Sequence, residues 1–435
     1  MAQIIIKPDR PTLDTELRIS LTDLPARRPV TVRSMAVEGS GRPLTAHATF
    51  ETDDAGVVDL ATAAPIAGTY ANADPMGLVW SMSPVPGAHR ENPPRGILPP
   101  STLTLTVETS RVAVATATID RLRMPEDVTR TPVREAGLVG TLFHPIDDGP
   151  RPGVILLGGS EGGLHELDAA LLSAHGFAVL ALAYFGTDGV PPFLVEIPLE
   201  YFETAIGFLR AHPTVKDAPV GVIGGSSGGE AALLIASTFE GVGPVVSTVG
   251  SGVLTQGIGP GRDLMEMAGT PVPSWTLGGR PLPYLRNRIT PELRRQIVAG
   301  KPVELALVFE PGMADPAEVE ASAIRVERIT GAVLLVTAGQ DRMWPSGAMS
   351  EVATRRLAAA EITHEHLHFA DAGHPIAPPP HGPATELVSP GPGVTFAMGG
   401  TAAANTAARA QGWRRSIGFL AEHLGASGPT TRPTG

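Results

Sequence analysis

One stretch constrains this chain more than any other: Pro219-Val-Gly-Val-Ile-Gly-Gly-Ser-Ser-Gly-Gly-Glu-Ala-Ala-Leu-Leu-Ile-Ala236. An apolar run of strand length meets a crowded Gly/Ser turn, and residues of good helix propensity follow at once. Gly224-Gly225-Ser226-Ser227-Gly228 fits G-x-S-x-G, the strained strand-to-helix turn that lifts a serine hydroxyl above the end of a sheet. Small residues two before and two after the serine are required because backbone and helix pass closely there. The pattern can also be read one residue later, with Ser227 at the turn. That register adds another glycine to the strand end, where glycine weakens pairing, so Ser226 is favoured as nucleophile. Ser227 then supplies the backbone N–H that follows the nucleophile, one half of an oxyanion hole.

The flanking sequence predicts two domains, as a length of 435 residues suggests. Residues 1–125 read as an all-β sandwich. Gln3–Lys7, Glu16–Leu21, Val30–Val37, Ala46–Phe50, Leu78–Met82, Thr102–Val107 and Arg111–Ile119 are short runs rich in Val, Ile, Leu and Thr, separated by Gly, Pro, Asp and Asn. Met124–Pro132 reads as a linker, followed by a hairpin ending at Gly140–Pro145. From 126 to 425 strands and helices alternate: strands at Gly153–Leu157, Phe177–Tyr184, Val220–Ile223, Gly331–Ala338 and Glu365–Phe369, and helices at Leu167–Ala174, Leu199–Arg210 and Ala348–Ala360. Repeated β-α-β units imply an open, mostly parallel sheet covered on both faces, the α/β-hydrolase arrangement. Residues 250–325, rich in Pro and Gly, read as an excursion over the C-terminal edge of that sheet. The tail 426–435 is expected to be disordered.

A serine is a weak nucleophile until a base takes its proton, and the base needs an orienting carboxylate. In this fold the order along the chain is Ser, then Asp or Glu, then His. Asp341 follows the strand at Gly331–Ala338, and His374 follows the one at Glu365–Phe369, so both loops reach the sheet edge that carries Ser226. The Gly-rich loop Gly158–Gly163 follows an earlier strand, where the second oxyanion donor belongs, and Gly159 and Ser160 are its candidates. No Gly-Lys-Ser/Thr follows that loop, which excludes a P-loop.

Composition removes other chemistries. There is no cysteine, hence no disulfide, thiolate metal site or cysteine nucleophile. A formal charge of −11 argues against general binding to nucleic acid or anionic membranes. No stretch approaches a membrane span and the N-terminus does not read as a signal peptide, so a cytoplasmic protein is expected. His364, His366 and His368 alternate along one strand with roughly 7 Å between neighbours. That is too far to wrap one ion with bonds of about 2 Å, so no metal site is expected. Arg280, Arg286, Arg288, Arg294, Arg295 and Lys301 cluster in an otherwise acidic chain. They are candidates to hold phosphates of a nucleotide-tailed substrate, Arg286 and Arg288 foremost.

Together these residues resemble the type I acyl-CoA thioesterase and bile-acid-CoA:amino-acid N-acyltransferase family, over nearly the whole chain. The resemblance is carried by Asp74-Pro-Met-Gly-Leu-Val-Trp80, by Gly162–Leu164 through His175–Tyr184, by Leu199–Glu203 and by Val220–Gly229. Gly339–Asp341 with Trp344, Ala372–His374 with Pro378-Pro379, and Gly399-Gly400 with Trp413 complete it. It implies Ser226, Asp341 and His374 as the triad, an acyl-CoA thioester as the small-molecule substrate, and no cofactor beyond the CoA of that substrate. Serine at the nucleophile goes with thioesterases in the family, and cysteine with the amino-acid acyltransferase, so hydrolysis is expected ahead of acyl transfer to an amine or alcohol. A carboxylesterase or a non-catalytic binding protein stands further behind. Three departures are visible. The segment at Asp341 is about one residue shorter than the family's usual pattern, and only one Asp stands there. Ser160-Glu161 stands where the family tends to have a purer glycine run. A carboxylate beside an oxyanion hole repels developing charge, so Glu161 is expected to point away or to serve another role, such as substrate binding. Residues 250–325 match only weakly, which leaves the acyl group open.

Overall fold

Alternating apolar residues build one part of this chain and continuous apolar runs build the other. The structure is a computed structural model that describes residues 1–37, 41–85, 99–146, 149–261, 264–384, 387–391 and 394–425. The predicted disorder of 426–435 falls outside them. The chain divides into two units, Met1–Glu126 with Pro379–Ala384, and Asp127–Pro378 with residues 387–425.

In the first unit Pro29–Val37, Pro43–Glu51, Ser101–Thr109 and Val112–Arg121 form an antiparallel sheet edged by Ala67–Gly68, and Gln3–Lys7, Arg18–Thr22 and Val58–Asp59 form a second. Leu44, Ala46, Ala48 and Phe50 are buried on one strand and Leu103, Leu105 and Val107 on another, the period-2 pattern of a strand with one face in a core. The strand predicted over Leu78–Met82 is instead a helical turn, Gly77–Trp80. Asp74 is the reason. Its Oδ1 accepts the Met76 N–H and its Oδ2 the Trp80 indole N–H, both at 2.8 Å, which folds the segment back on itself. Gly77 is required because a Cβ there would stand 2.2 Å from the Tyr70 ring.

In the second unit the strands are β1 Val128–Val133, β2 Val139–Pro145, β3 Gly153–Leu157, β4 Ala178–Ala183, β5 Val220–Gly225, β6 Val242–Thr248, β7 Val333–Ala338 and β8 His364–Phe369. Their order across the sheet is β1-β2-β4-β3-β5-β6-β7-β8. β1 and β2 are antiparallel, and the strands from β4 to β8 are mutually parallel. Residues 128–132, expected in the linker, are the first of these strands. Every residue of β3, β4 and β7 is buried, as their apolar runs, broken only by Thr337 in β7, require of strands covered on both faces. The connecting helices are α1 Glu166–Ser173, α2 Glu200–Ala211, α3 Ser227–Thr238, α4 Ser346–Ala359 and α5 Ala402–Leu424. This is the α/β-hydrolase fold. β6 and α5 are not legible as elements in the sequence.

The chain passes from β3 outward to β4 and then back across to β5, so β3 lies between them. At such a reversal the helices before and after leave on opposite faces, and a crevice opens beyond the strand ends. Parallel pairing brings the loops after β3, β5, β7 and β8 to that one edge.

Candidate active site

At the end of β5 the chain turns directly into α3. Ser226 sits between them with φ 55° and ψ −125°, a strained conformation for a residue with a side chain. Its N–H is held by the Thr248 carbonyl at 2.9 Å, and its own carbonyl accepts from Gly229 and Glu230 as α3 begins. A Cβ on Gly224 would fall 2.2 Å from the Gly228 carbonyl oxygen, and one on Gly228 would fall 2.4 Å from that of Gly158. The residues two before and two after Ser226 therefore have no room for side chains. Gly225 and Gly229 are crowded too, a Cβ there falling 2.5 Å from Ala377 Cβ and 2.8 Å from Ser247 Oγ, so it is the position of Ser226 at the turn that sets the register. Ser227 is the buried first residue of α3. Its N–H is one of those a helix leaves without an intrahelical partner.

The structure brings Ser226, His374 and Asp341 into one line. His374 Nε2 is 3.1 Å from Ser226 Oγ, and His374 Nδ1 is 2.9 Å from Asp341 Oδ2. The Asp341 side chain is 1% exposed. Its other oxygen accepts the N–H groups of Met343 at 3.0 Å and Trp344 at 3.2 Å. Trp344 stacks edge-on to the His374 ring, and its indole N–H is fixed by the Val249 carbonyl at 2.7 Å. An acceptor on one side of the imidazole and a hydroxyl on the other can hold the tautomer in which Nε2 takes a proton from serine. A chamber of about 280 Å³ opens at this line, walled by Leu156, Ile223, Ile376, Met398 and Trp413.

Across the chamber lies the loop after β3. Gly159 is buried and faces the serine: a Cβ placed on it would be 3.3 Å from Ser226 Cβ. Ser160, the other donor candidate, does not line the chamber. Glu161 does, and it does not point away. Its Oε1 accepts the Gly159 N–H at 3.3 Å and lies 3.0 Å from His165 Nε2. His165 Nδ1 in turn lies 3.7 Å from Asp168 Oδ2. Burial alone would lower the basicity of His165, but the Asp168 and Glu161 carboxylates outweigh it and raise the imidazole to about 10. His165 and Asp168 were not singled out in the sequence; His165 is the residue just before α1 and Asp168 lies in its first turn.

Residues 197–426 match the family described as BAAT / Acyl-CoA thioester hydrolase C terminal, and residues 14–135 match the Acyl-CoA thioester hydrolase/BAAT N-terminal region. The chain belongs to this family. The resemblance drawn from its motifs is thus borne out. Among its relatives, Acyl-coenzyme A thioesterase 1 of Homo sapiens is 30% identical over 436 residues, 98% of this chain and 97% of that protein. Peroxisomal succinyl-coenzyme A thioesterase of Mus musculus is 31% identical over 440 residues, 98% of each chain. Among solved structures, a Mycobacterium tuberculosis puromycin-hydrolyzing peptidase aligns with a TM-score of 0.45 at 15% identity, covering 98% of this chain and 60% of its own.

The remaining candidates lie apart from the chamber. Arg288 is held by Glu318 through both guanidinium nitrogens, at 2.6 and 3.2 Å, and the backbone N–H of Arg286 donates to the same carboxylate. Neither arginine lines the chamber. His366 and His368 share the hydroxyl of Thr337, at 2.8 and 2.9 Å, so this part of β8 is bound to the neighbouring strand. One further group escaped sequence reasoning. Glu230, in the first turn of α3, is 1% exposed. It accepts from the Trp275 indole at 2.8 Å and from the hydroxyl and N–H of Thr255 at 2.7 and 3.1 Å. Burial raises this carboxyl to about 7, against the three hydrogen bonds that favour its ionised form. Through it the excursion of residues 250–325 is fastened to the helix that begins at the serine.

Proposed function

We propose that this protein hydrolyses an acyl-CoA thioester to the free acid and CoA through an acyl-enzyme on Ser226. The observation that carries this reading is the continuous hydrogen-bonded line from Ser226 Oγ through His374 to Asp341, in a chain whose relatives are named as acyl-CoA thioesterases. Ser226 Oγ attacks the thioester carbonyl while His374 Nε2 takes its proton. Asp341 holds the imidazole and stabilises its cation. The N–H groups of Ser227 and Gly159 receive the developing oxyanion. Collapse breaks the C–S bond, and CoA leaves with the proton from His374. Water then gives a proton to His374 and attacks the acyl-serine; the acyl C–O bond breaks, Ser226 Oγ takes that proton from His374, and the acid is released. No cofactor enters this scheme, because CoA belongs to the substrate.

The chamber of about 280 Å³ lies just under the roughly 300–1,000 Å³ of small-molecule pockets. It suits an acyl group of modest length, with the nucleotide tail outside. The reading places the reaction in the cytoplasm. Relatives named as mitochondrial and peroxisomal make cell fractionation the check on that point. Among the described residues no helix is long and apolar enough to cross a membrane.

The decisive experiment follows CoA release from a panel of acyl-CoAs by Ser226→Ala and Ser227→Ala. Ser226→Ala is expected to lose about 10⁴-fold or more in kcat, whereas Ser227→Ala, which keeps its backbone N–H, retains most activity. Activity in Ser226→Ala with loss in Ser227→Ala would move the nucleophile by one residue, and undiminished activity in both would end the serine mechanism.

A further inference from the structure

The loop after β3 contains a conflict over a single N–H group. Ser160 and Glu161 are the central pair of a turn closed by the Gly162 N–H on the Gly159 carbonyl at 3.2 Å. From that turn the Glu161 side chain folds back. Its Oε1 takes the Gly159 N–H, and its Oε2 lies 2.9 Å from the point a Gly159 Cβ would occupy, a point 3.3 Å from Ser226 Cβ. Carboxylate and nucleophile thus crowd the same face of Gly159. The tetrahedral intermediate needs this donor for its own oxygen, and losing one oxyanion donor costs roughly 10²–10³ in kcat. A carboxylate left in place would also repel the new charge.

Glu161 is clamped where it stands. His165 holds it at 3.0 Å and is itself backed by Asp168. Desolvation on the inner side of the carboxyl opposes ionisation, but His165 and the Gly159 N–H overcome it and keep Glu161 below its usual range. The side chain is nevertheless 61% exposed, so a path outward is open. Something must supply the free energy to move it. Binding energy from parts of a substrate remote from the reacting carbon can be used in this way, and a truncated substrate lacks it.

We propose that Glu161 is a specificity-determining residue. It occupies the Gly159 oxyanion donor in the free enzyme and yields it to substrates whose remote contacts displace the carboxylate. Small activated esters are thereby rejected in favour of thioesters with a long, well-bound leaving group. This inference rests on the serine-hydrolase reading above.

The test compares wild type and Glu161→Ala on butyryl-CoA and on p-nitrophenyl butyrate, which share an acyl group and differ in the leaving group. Glu161→Ala is expected to raise kcat for the nitrophenyl ester by about tenfold or more, while for butyryl-CoA it lowers KM and moves kcat less than about threefold, because binding no longer has to displace the carboxylate. Labelling of Ser226 by a small fluorophosphonate, whose phosphoryl oxygen needs the same N–H, is expected to accelerate by about tenfold as well. An unchanged ratio of the two kcat values, or a loss on both substrates, overturns the proposal. Failure of the underlying reading looks different: wild type would then release CoA without depending on Ser226, or not at all.

Discussion

Asp341 divides its work between two oxygens. Oδ1 is fixed by the N–H groups of Met343 and Trp344, and Oδ2 faces His374 Nδ1. Asp341→Asn therefore has a defined outcome. The amide oxygen stays with the two backbone donors, since a nitrogen cannot accept from them, and the amide NH₂ is turned toward Nδ1. The imidazole must then accept at Nδ1 and carry its proton at Nε2, the tautomer that cannot take one from Ser226. The corresponding change in a serine protease lowers kcat about 10⁴-fold, and a loss of about 10²- to 10⁴-fold is expected here. Because the backbone bonds survive, the melting temperature should move little. Kinetics and a thermal melt on one preparation check both halves. Near-normal kcat would reduce Asp341 to a turn-capping residue.

At the scale of elements, α3 and the end of β3 meet backbone to backbone. A Cβ on Gly228 would stand 2.4 Å from the Gly158 carbonyl oxygen and 2.6 Å from that of Leu157. Both are backbone atoms and cannot swing aside. Gly228→Ala must push the loop bearing Gly159 away from Ser226. It is expected to lower stability by about 1–3 kcal/mol and to lower kcat beyond what that instability explains, read from denaturant unfolding and from rates at a temperature where the variant is folded. This elbow was legible in the sequence because its constraints are local: five residues settle the turn. The apolar runs of β3, β4 and most of β7 were legible for a similar reason. β6 was not, because Gly243 and Pro244 interrupt it, and proline argues against a central strand. The sheet accommodates it with a register shift between the pairs Val220↔Val242 and Val222↔Val245. α5 escaped because alanines and Gly412 make up much of a helix that buries Trp413, Ile417, Phe419 and Leu420. Its caps, Thr401 accepting the Ala404 N–H and Gly425 at φ 61°, identify its ends only once the helix is known. In the site, the Ser–Asp–His order was legible, while the backward fold of Glu161 was not. Nothing in a Gly-rich turn fixes where a carboxylate four residues before a histidine will point.

Over the whole molecule, one buried carboxylate couples pH to stability through the seam between α3 and the 250–325 segment. In the folded protein Glu230 titrates at about 7, against an ordinary value of 4.5. Between those two values the unfolded chain has released this proton and the folded chain keeps it, so stability falls as pH rises. The contribution is fully present below about 4.5 and is lost by the time pH passes about 7. At 1.36 kcal/mol per pH unit it amounts to roughly 3 kcal/mol. Glu230→Gln isolates it. The amide cannot ionise, and whichever way it is turned its NH₂ meets a donor, either the Trp275 indole or the Thr255 N–H. The variant thus carries a penalty, but one that does not change with pH. Other titrating groups are common to both proteins and cancel in the comparison. Urea unfolding at pH 5, 6, 7 and 8 is expected to show wild type ahead at pH 5, its lead shrinking by on the order of 2–3 kcal/mol toward pH 7 and then levelling off. A lead that stays constant across this range, or grows with pH, would mean that Glu230 is ionised throughout and that its three donors outweigh its burial.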